Sequence, residues 1–147
     1  MLTIQEQTIV NASSDTVFNV ITKLETYKEW NPWIVEASGI PEEGQLVEVK
    51  VKMRAKIISA QHRILVSKPN IEFRWCDVGW FTRLAYGERA RFIKSLANGG
   101  IEYRVDLTVT GLLWWFVKLV YGKSMEAGLK AETNALKERA EGSVDLP

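Results

Sequence analysis

The sequence has one cysteine, Cys76, and one histidine, His62. A lone thiol excludes an internal disulfide and fits a reducing compartment. A structural zinc site takes roughly four protein ligands, mostly Cys and His, so the supply here excludes one. Proline is scarce: of four, none falls between Gly111 and Gly142. Long apolar runs are missing too. The longest, Leu112 to Tyr121, spans about ten residues and contains Lys118, half the roughly 20 that a membrane helix needs. Met1-Leu2-Thr3-Ile4-Gln5-Glu6 has neither the basic region nor the apolar core of a signal peptide, so a cytoplasmic chain without stable membrane insertion is expected.

Neither charge sign dominates, with 19 Lys+Arg against 18 Asp+Glu and a formal net charge of +1. That balance gives no bulk attraction to polyphosphate or anionic membranes. Lys50, Lys52, Lys56, Arg89 and Arg91 could share an outer sheet face, but no exposed aromatics for base stacking are indicated, and nucleic acid is not an expected partner. Glycine-rich phosphate loops, zinc-protease signatures and nucleophile elbows are absent, which removes support for the common NTPase, metalloprotease and hydrolase classes. No cofactor is expected, and the chain should be a monomer or a weak homodimer.

Aromatics are what the sequence does have: six Trp, five Phe and four Tyr in 147 residues. A chain of this length suits one domain and buries roughly two-thirds of its unfolded surface, so it needs no staple. Indole carries an N–H that wants a partner, which suits it to pocket walls and rims as well as cores.

Periodicity orders the elements. Ile4, Thr8 and Val10 alternate with Gln5 and Gln7 in a first strand, and Ser13 or Ser14 can cap a helix from about Asp15 that places Val17, Phe18, Ile21 and Leu24 on one face. A second short helix, Leu24 to Trp30, stops at Asn31-Pro32, because proline disfavours helix at the residue before it. Strands then run from Trp33 to Thr110. Val47, Val49, Val51 and Met53 oppose Glu48, Lys50 and Lys52, a half-buried antiparallel pattern. Lys56 to Leu65 reads as a strand bent by a bulge, and Ile71, Phe73 and Trp75 continue after a turn. Gly79 and Gly87 bracket an aromatic link before a strand over Glu88 to Leu96. Asn98-Gly99-Gly100 marks a hairpin, after which Tyr103, Val105, Leu107 and Val109 take one face and Arg104, Asp106, Thr108 and Thr110 the other. From Leu112 to about Ala140 the period becomes helical, with Phe116, Val120, Met125, Leu129 and Leu136 on a buried face; Gly122 and Gly128 mark fraying, a bend or close packing. Gly142-Ser143 should end this helix and Val144 to Pro147 form a tail.

A sheet with one apolar face must be covered, and only the last helix is long enough to do it. The order strand, two short helices, six strands, long helix is similar to the helix-grip fold of the START/Bet v 1-like (SRPBCC) superfamily. It most resembles the polyketide cyclase/dehydrase-like branch, through Ala12-Ser13-Ser14-Asp15-Thr16-Val17-Phe18, Leu24 to Trp33 with its Trp30-Asn31-Pro32-Trp33 segment, and Met125 to Glu132 in the last helix. The resemblance implies an α+β fold, in which a curved antiparallel sheet of about seven strands wraps a long C-terminal helix. It also implies a cavity for a small hydrophobic ligand, lipid-like, aromatic or polyketide-like. The branch mixes carriers, cyclases and stress proteins, so three roles are open: ligand carriage, a cyclase/dehydratase-like reaction, or protein interaction without a true ligand. No family-wide catalytic set maps onto this chain.

Parity and the resemblance together nominate the cavity walls. The sheet would supply Val49, Val51, Phe73, Trp75, Tyr103 and Val105, and the helix Tyr121, Met125 and Leu129, with Trp30 and Trp33 closing or gating one end. Tyr86, Tyr103 and Tyr121 could orient a carbonyl or phenol, as could an arginine turned inward. Arg74, Glu88, Arg89, Arg91, Arg104 and Asp106 are expected to face solvent. His62 has no carboxylate at a catalytic spacing and reads as solvated or structurally hydrogen-bonded, and Cys76 as unreactive.

Overall fold

Alternation at the start of the chain buries Leu2, Ile4 and Val10 and exposes Thr3, Gln5, Gln7 and Ile9, giving strand β1 (Leu2–Val10). In the structure, a computed structural model that describes residues 1–144, Ser13 caps helix α1 (Ser14–Thr22). Its hydroxyl accepts from the Thr16 amide at 3.1 Å, with Asp15 in the first turn. Val17, Phe18 and Ile21 are buried. Leu24 opens a 3-10 turn that leads into the short helix α2 (Tyr27–Trp30), and Asn31 leaves it with extended backbone, φ −85° and ψ 114°.

Six strands follow: β2 (Ile34–Ser38), β3 (Leu46–Met53), β4 (Lys56–Lys68), β5 (Glu72–Asp77), β6 (Tyr86–Ser95) and β7 (Ile101–Thr110). With β1 they form one antiparallel sheet of order β1-β7-β6-β5-β4-β3-β2. The register slips between Ile34 and Glu36 and between Ile64 and Val66. Such slips bend a strand and raise its twist, which curves the sheet around the last helix.

That helix, α3 (Trp114–Val144), buries Met125, Leu129, Leu136 and Ala140 against the sheet and α1. It does not stop at Gly142-Ser143. The buried Leu136 and Ala140 and the Lys137–Glu141 ion pair at 2.9 Å hold the preceding turns, and one glycine costs only about 1 kcal/mol. Of the expected tail, residues 145–147 lie outside the described residues. Phe116, expected on the buried face, is 46 % exposed, because Trp114, Val117 and Tyr121 point inward instead. Gly128 is a close-packing site: a Cβ there would stand 2.5 Å from the indole of Trp33. Gly122 meets only the Lys118 side chain, at 3.7 Å. No helix among the described residues is long and apolar enough to cross a membrane.

Candidate functional site

Between the curved sheet and the first half of α3 lies a cavity of about 590 Å³. Val51, Met53, Ile58, Ala60, Trp75, Leu107 and Val109 line it from the strands, Phe81 and Ala85 from the β5–β6 link, Val117 and Met125 from α3, and Trp33 from the turn after α2. Ser59, Gln61, His62, Asp77, Glu88 and Arg89 are the polar or charged residues that border it. An apolar chamber with a few convergent polar groups is the usual form of a small-molecule site.

His62 and Asp77 meet because β4 and β5 pair them directly across the sheet. Nδ1 of His62 stands 3.2 Å from Oδ1 of Asp77, too oblique for a well-aligned hydrogen bond, and the imidazole stacks on Trp75 at 5.0 Å. Oδ2 of Asp77 accepts from the Gly87 amide at 2.8 Å. A Cβ at position 87 would lie 2.8 Å from that same oxygen, so glycine there lets the backbone fix the carboxylate. Sequence spacing hid this carboxylate from His62; the strand register supplies it.

Arg89 and Arg91, expected in solvent, are 5 % and 1 % exposed. The β6–β7 register sets them opposite Leu107 and Val105, on the inward parity. Their charge is met by Glu132, on the buried stripe of α3 between Leu129 and Leu136. Arg89 Nη1 donates to both Glu132 oxygens at 3.1 and 3.3 Å, and Arg91 Nη2 stands 3.8 Å away. Asn31 completes the network. Its amide nitrogen donates to Glu132 at 3.0 Å, and its carbonyl oxygen accepts from the amides of Trp33 and Ile34 at 3.0 and 2.8 Å. Two cations share one carboxylate, and aromatic faces take up part of the excess: Arg89 lies 4.4 Å from the Trp33 ring centroid and Arg91 4.3 Å from that of Trp75. Burial weighs most on Arg89 and lowers its pKa; at Arg91 burial pulls the same way, but Tyr27, Glu132 and Tyr103 together raise it. Burial also pushes the Tyr27 phenol up to about 12 and raises that of Tyr103, so both stay neutral, and the Tyr27 hydroxyl donates to the Ile21 carbonyl.

Of the nominated residues, the structure brings Trp33, Val51, Trp75 and Met125 together on the cavity wall. Val49, Phe73, Tyr103, Val105 and Leu129 lie outside that wall, packed into the core. Tyr121 and Trp30 pack against the core's edge, Trp30 edge-on to Tyr27 at 5.2 Å. Tyr86 takes the opposite parity from Gly87's neighbour Val109, and its hydroxyl donates to Glu88 at 3.3 Å. None of Tyr86, Tyr103 and Tyr121 borders the chamber, whereas Arg89 does. Arg74 and Arg104 remain partly exposed, and Cys76 is buried. With Arg89 and Arg91 inside, the basic outer face conceived for nucleic acid loses two members. No group of three or more His, Cys, Asp or Glu among the described residues could hold a metal.

Residues 10–120 match the family of polyketide cyclase/dehydrase and lipid transport proteins. The chain belongs to that family. No curated protein matches this family member by sequence. Its fold is similar to the di-domain aromatase/cyclase BexL of the BE-7585A biosynthetic pathway, with a TM-score of 0.76 at 12% identity. The superposition covers 99% of this chain but 48% of BexL, so the chain spans about half of that protein. It is also similar to the Zhui aromatase/cyclase of Streptomyces sp. R1128, with a TM-score of 0.74, 15% identity, and 97% and 95% of the two chains covered. A START superfamily protein from Mycobacterium smegmatis superposes with a TM-score of 0.70 at 18% identity, over 97% of each chain. These likenesses establish the helix-grip fold in this polyketide cyclase/dehydrase and lipid transport family member.

Proposed function

We propose that this protein binds a small, mostly apolar molecule between its sheet and α3, with the molecule's one polar end turned toward Arg89, His62 and Asp77. The observation that carries this reading is the 590 Å³ chamber, lined mostly by apolar side chains, with Arg89 and the adjacent His62 and Asp77 on its wall. A ligand leaving about 250 Å² of apolar surface in it would gain about 6 kcal/mol before ordering costs, and hydrogen bonds at the polar end would add to that. A carbonyl or phenol oxygen suits the polar end, since Arg89 offers N–H donors there.

Titration with the neutral fluorophore N-phenyl-1-naphthylamine tests this. Val117→Trp, which fills the chamber from a half-buried helix position, should lower probe affinity at least tenfold in a folded protein. Unchanged affinity, or no uptake by the parent chain, refutes the reading.

A cyclase- or dehydratase-like reaction is the second reading, and His62 beside Asp77 on the chamber wall favours it. An imidazole beside a carboxylate is a pair suited to general acid–base proton transfer, which is worth roughly 10²–10⁴ in rate. Within an assay on a poly-β-ketone substrate, His62→Asn should lose on that order of turnover while probe affinity changes less than about threefold. Equal turnover would remove the enzyme reading and leave carriage standing.

A further inference from the structure

The near-neutral total charge conceals a local asymmetry around the cavity. Three segments frame that end of the molecule: the β3–β4 hairpin, the 3-10 turn at Trp80–Arg83 in the β5–β6 link, and the first turns of α3. Hydrogen bonds tie them together. The amides of Leu112 and Leu113 donate to the carbonyls of Arg83 and Leu84, and the Arg54 amide donates to the Ser124 hydroxyl at 3.0 Å.

These segments carry most of the large apolar side chains that face water among the described residues. Trp80 is 85 % exposed, Leu119 78 %, Leu112 75 %, Ile57 62 % and Trp115 53 %. Exposed single apolar residues are ordinary, but a collection on linked segments marks an interaction surface. The same segments expose Arg54, Lys56, Arg83, Lys118 and Lys123, and none of these makes an ion pair with a described residue. No acidic residue occurs between Glu48 and Glu72, between Asp77 and Glu88, or between Asp106 and Glu126.

We propose that this face docks reversibly on an anionic phospholipid bilayer, with Trp80, Trp115, Leu112 and Leu119 entering the interface and the basic side chains meeting lipid phosphates. Indoles favour the headgroup level, and basic residues flanking an apolar helix face are the pattern of interfacial binding. The apolar half of α3 is too short to span a bilayer, so it lies on the surface. A second copy of this chain fits less well. A two-fold interface would set this all-basic face against itself, and like charges opposed across an interface repel. Docking does not depend on what the cavity holds.

The test is flotation with large vesicles of phosphatidylcholine containing about a third phosphatidylglycerol. The parent chain should float with these vesicles, and brominated lipid should quench its tryptophan emission. Each basic residue near an anionic surface changes partitioning about fivefold, so Lys118→Glu/Lys123→Glu should lose binding more than tenfold, as should Leu112→Glu/Leu119→Glu. Ile71→Glu, on an exposed turn between β4 and β5, should bind like the parent. Absence of flotation overturns the proposal, as does equal binding to pure phosphatidylcholine. A dimer in sedimentation equilibrium that Leu119→Glu dissolves would assign the face to a second copy and overturn it as well.

Discussion

Replacing Glu132 by glutamine removes one charge and almost no volume. The new amide would keep a carbonyl oxygen for the Asn31 side chain, so the loss falls on the electrostatics between position 132 and the two arginines. The side chains of Glu132, Arg89 and Arg91 are 3 %, 6 % and 1 % exposed, so water screens none of them appreciably. Removing one partner of a buried pair costs about 3–5 kcal/mol, because the remaining charge stays desolvated. A domain of this size holds about 5–15 kcal/mol in total, and each kcal/mol moves the midpoint by about 2–4 °C. Glu132→Gln should therefore melt roughly 6–20 °C below the parent by circular dichroism at 222 nm. A cycle isolates the cause. Arg89→Met should cost less in the Glu132→Gln background than in the parent, with a coupling of about 1 kcal/mol or more. A midpoint within about 2 °C of the parent, or a coupling near zero, would refute the claim that this carboxylate compensates the arginines.

Gly128→Ala sets a gain of about 1 kcal/mol in helix propensity against a Cβ 2.5 Å from the Trp33 indole; overpacking costs about 1–3 kcal/mol, so urea unfolding should show no stabilisation. Ser13→Ala removes the acceptor of the Thr16 amide and should cost about 1 kcal/mol in the same assay. Tyr27 titrates at about 12 when folded, against 10.0 unfolded, because burial disfavours the phenolate. Its stabilising contribution is complete below pH 10 and is lost as pH rises through 12, a change of about 2–3 kcal/mol. Absorbance at 295 nm should show Tyr27→Phe removing a late-titrating phenol; an unchanged curve would count against its burial.

Strands with one clean parity were legible from residues alone. Val47, Val49 and Val51 in β3, and Tyr103 to Val109 in β7, alternate with polar partners, and each run buries the apolar side. Strand β6 was not legible. Ala90 and Phe92 compete with Ile93 for the inward direction, and only the pairing with β7 decides that Arg89 and Arg91 turn in. Glu132 could have been found, because it falls on the stripe that Met125, Leu129 and Leu136 define. Its burial is compensated by Arg89 and Arg91, which parity alone placed in solvent. Asp77 could not have been assigned to His62 from spacing, since the length of the β4–β5 turn and the slip after Ile64 set which residues face each other. Phe116 was misplaced because the inward stripe of the first turns runs through Trp114, Val117 and Tyr121, a phase that leaves residue 116 facing out.

The sheet order has a consequence for how the chain is made. β1 is made before the other strands of the sheet, yet its only strand neighbour among the described residues is β7, which begins at Ile101. At about 5–20 residues per second, β1 waits on the order of 5–20 s for that partner. β2 to β7 close as successive local hairpins in the meantime, so the last pairing is between the oldest strand and the youngest. Until it forms, β7 presents an open edge lined on one face by Tyr103, Val105, Leu107 and Val109. A nascent chain stalled before α3 would show that edge to its neighbours, and it is there that aggregation during synthesis would begin.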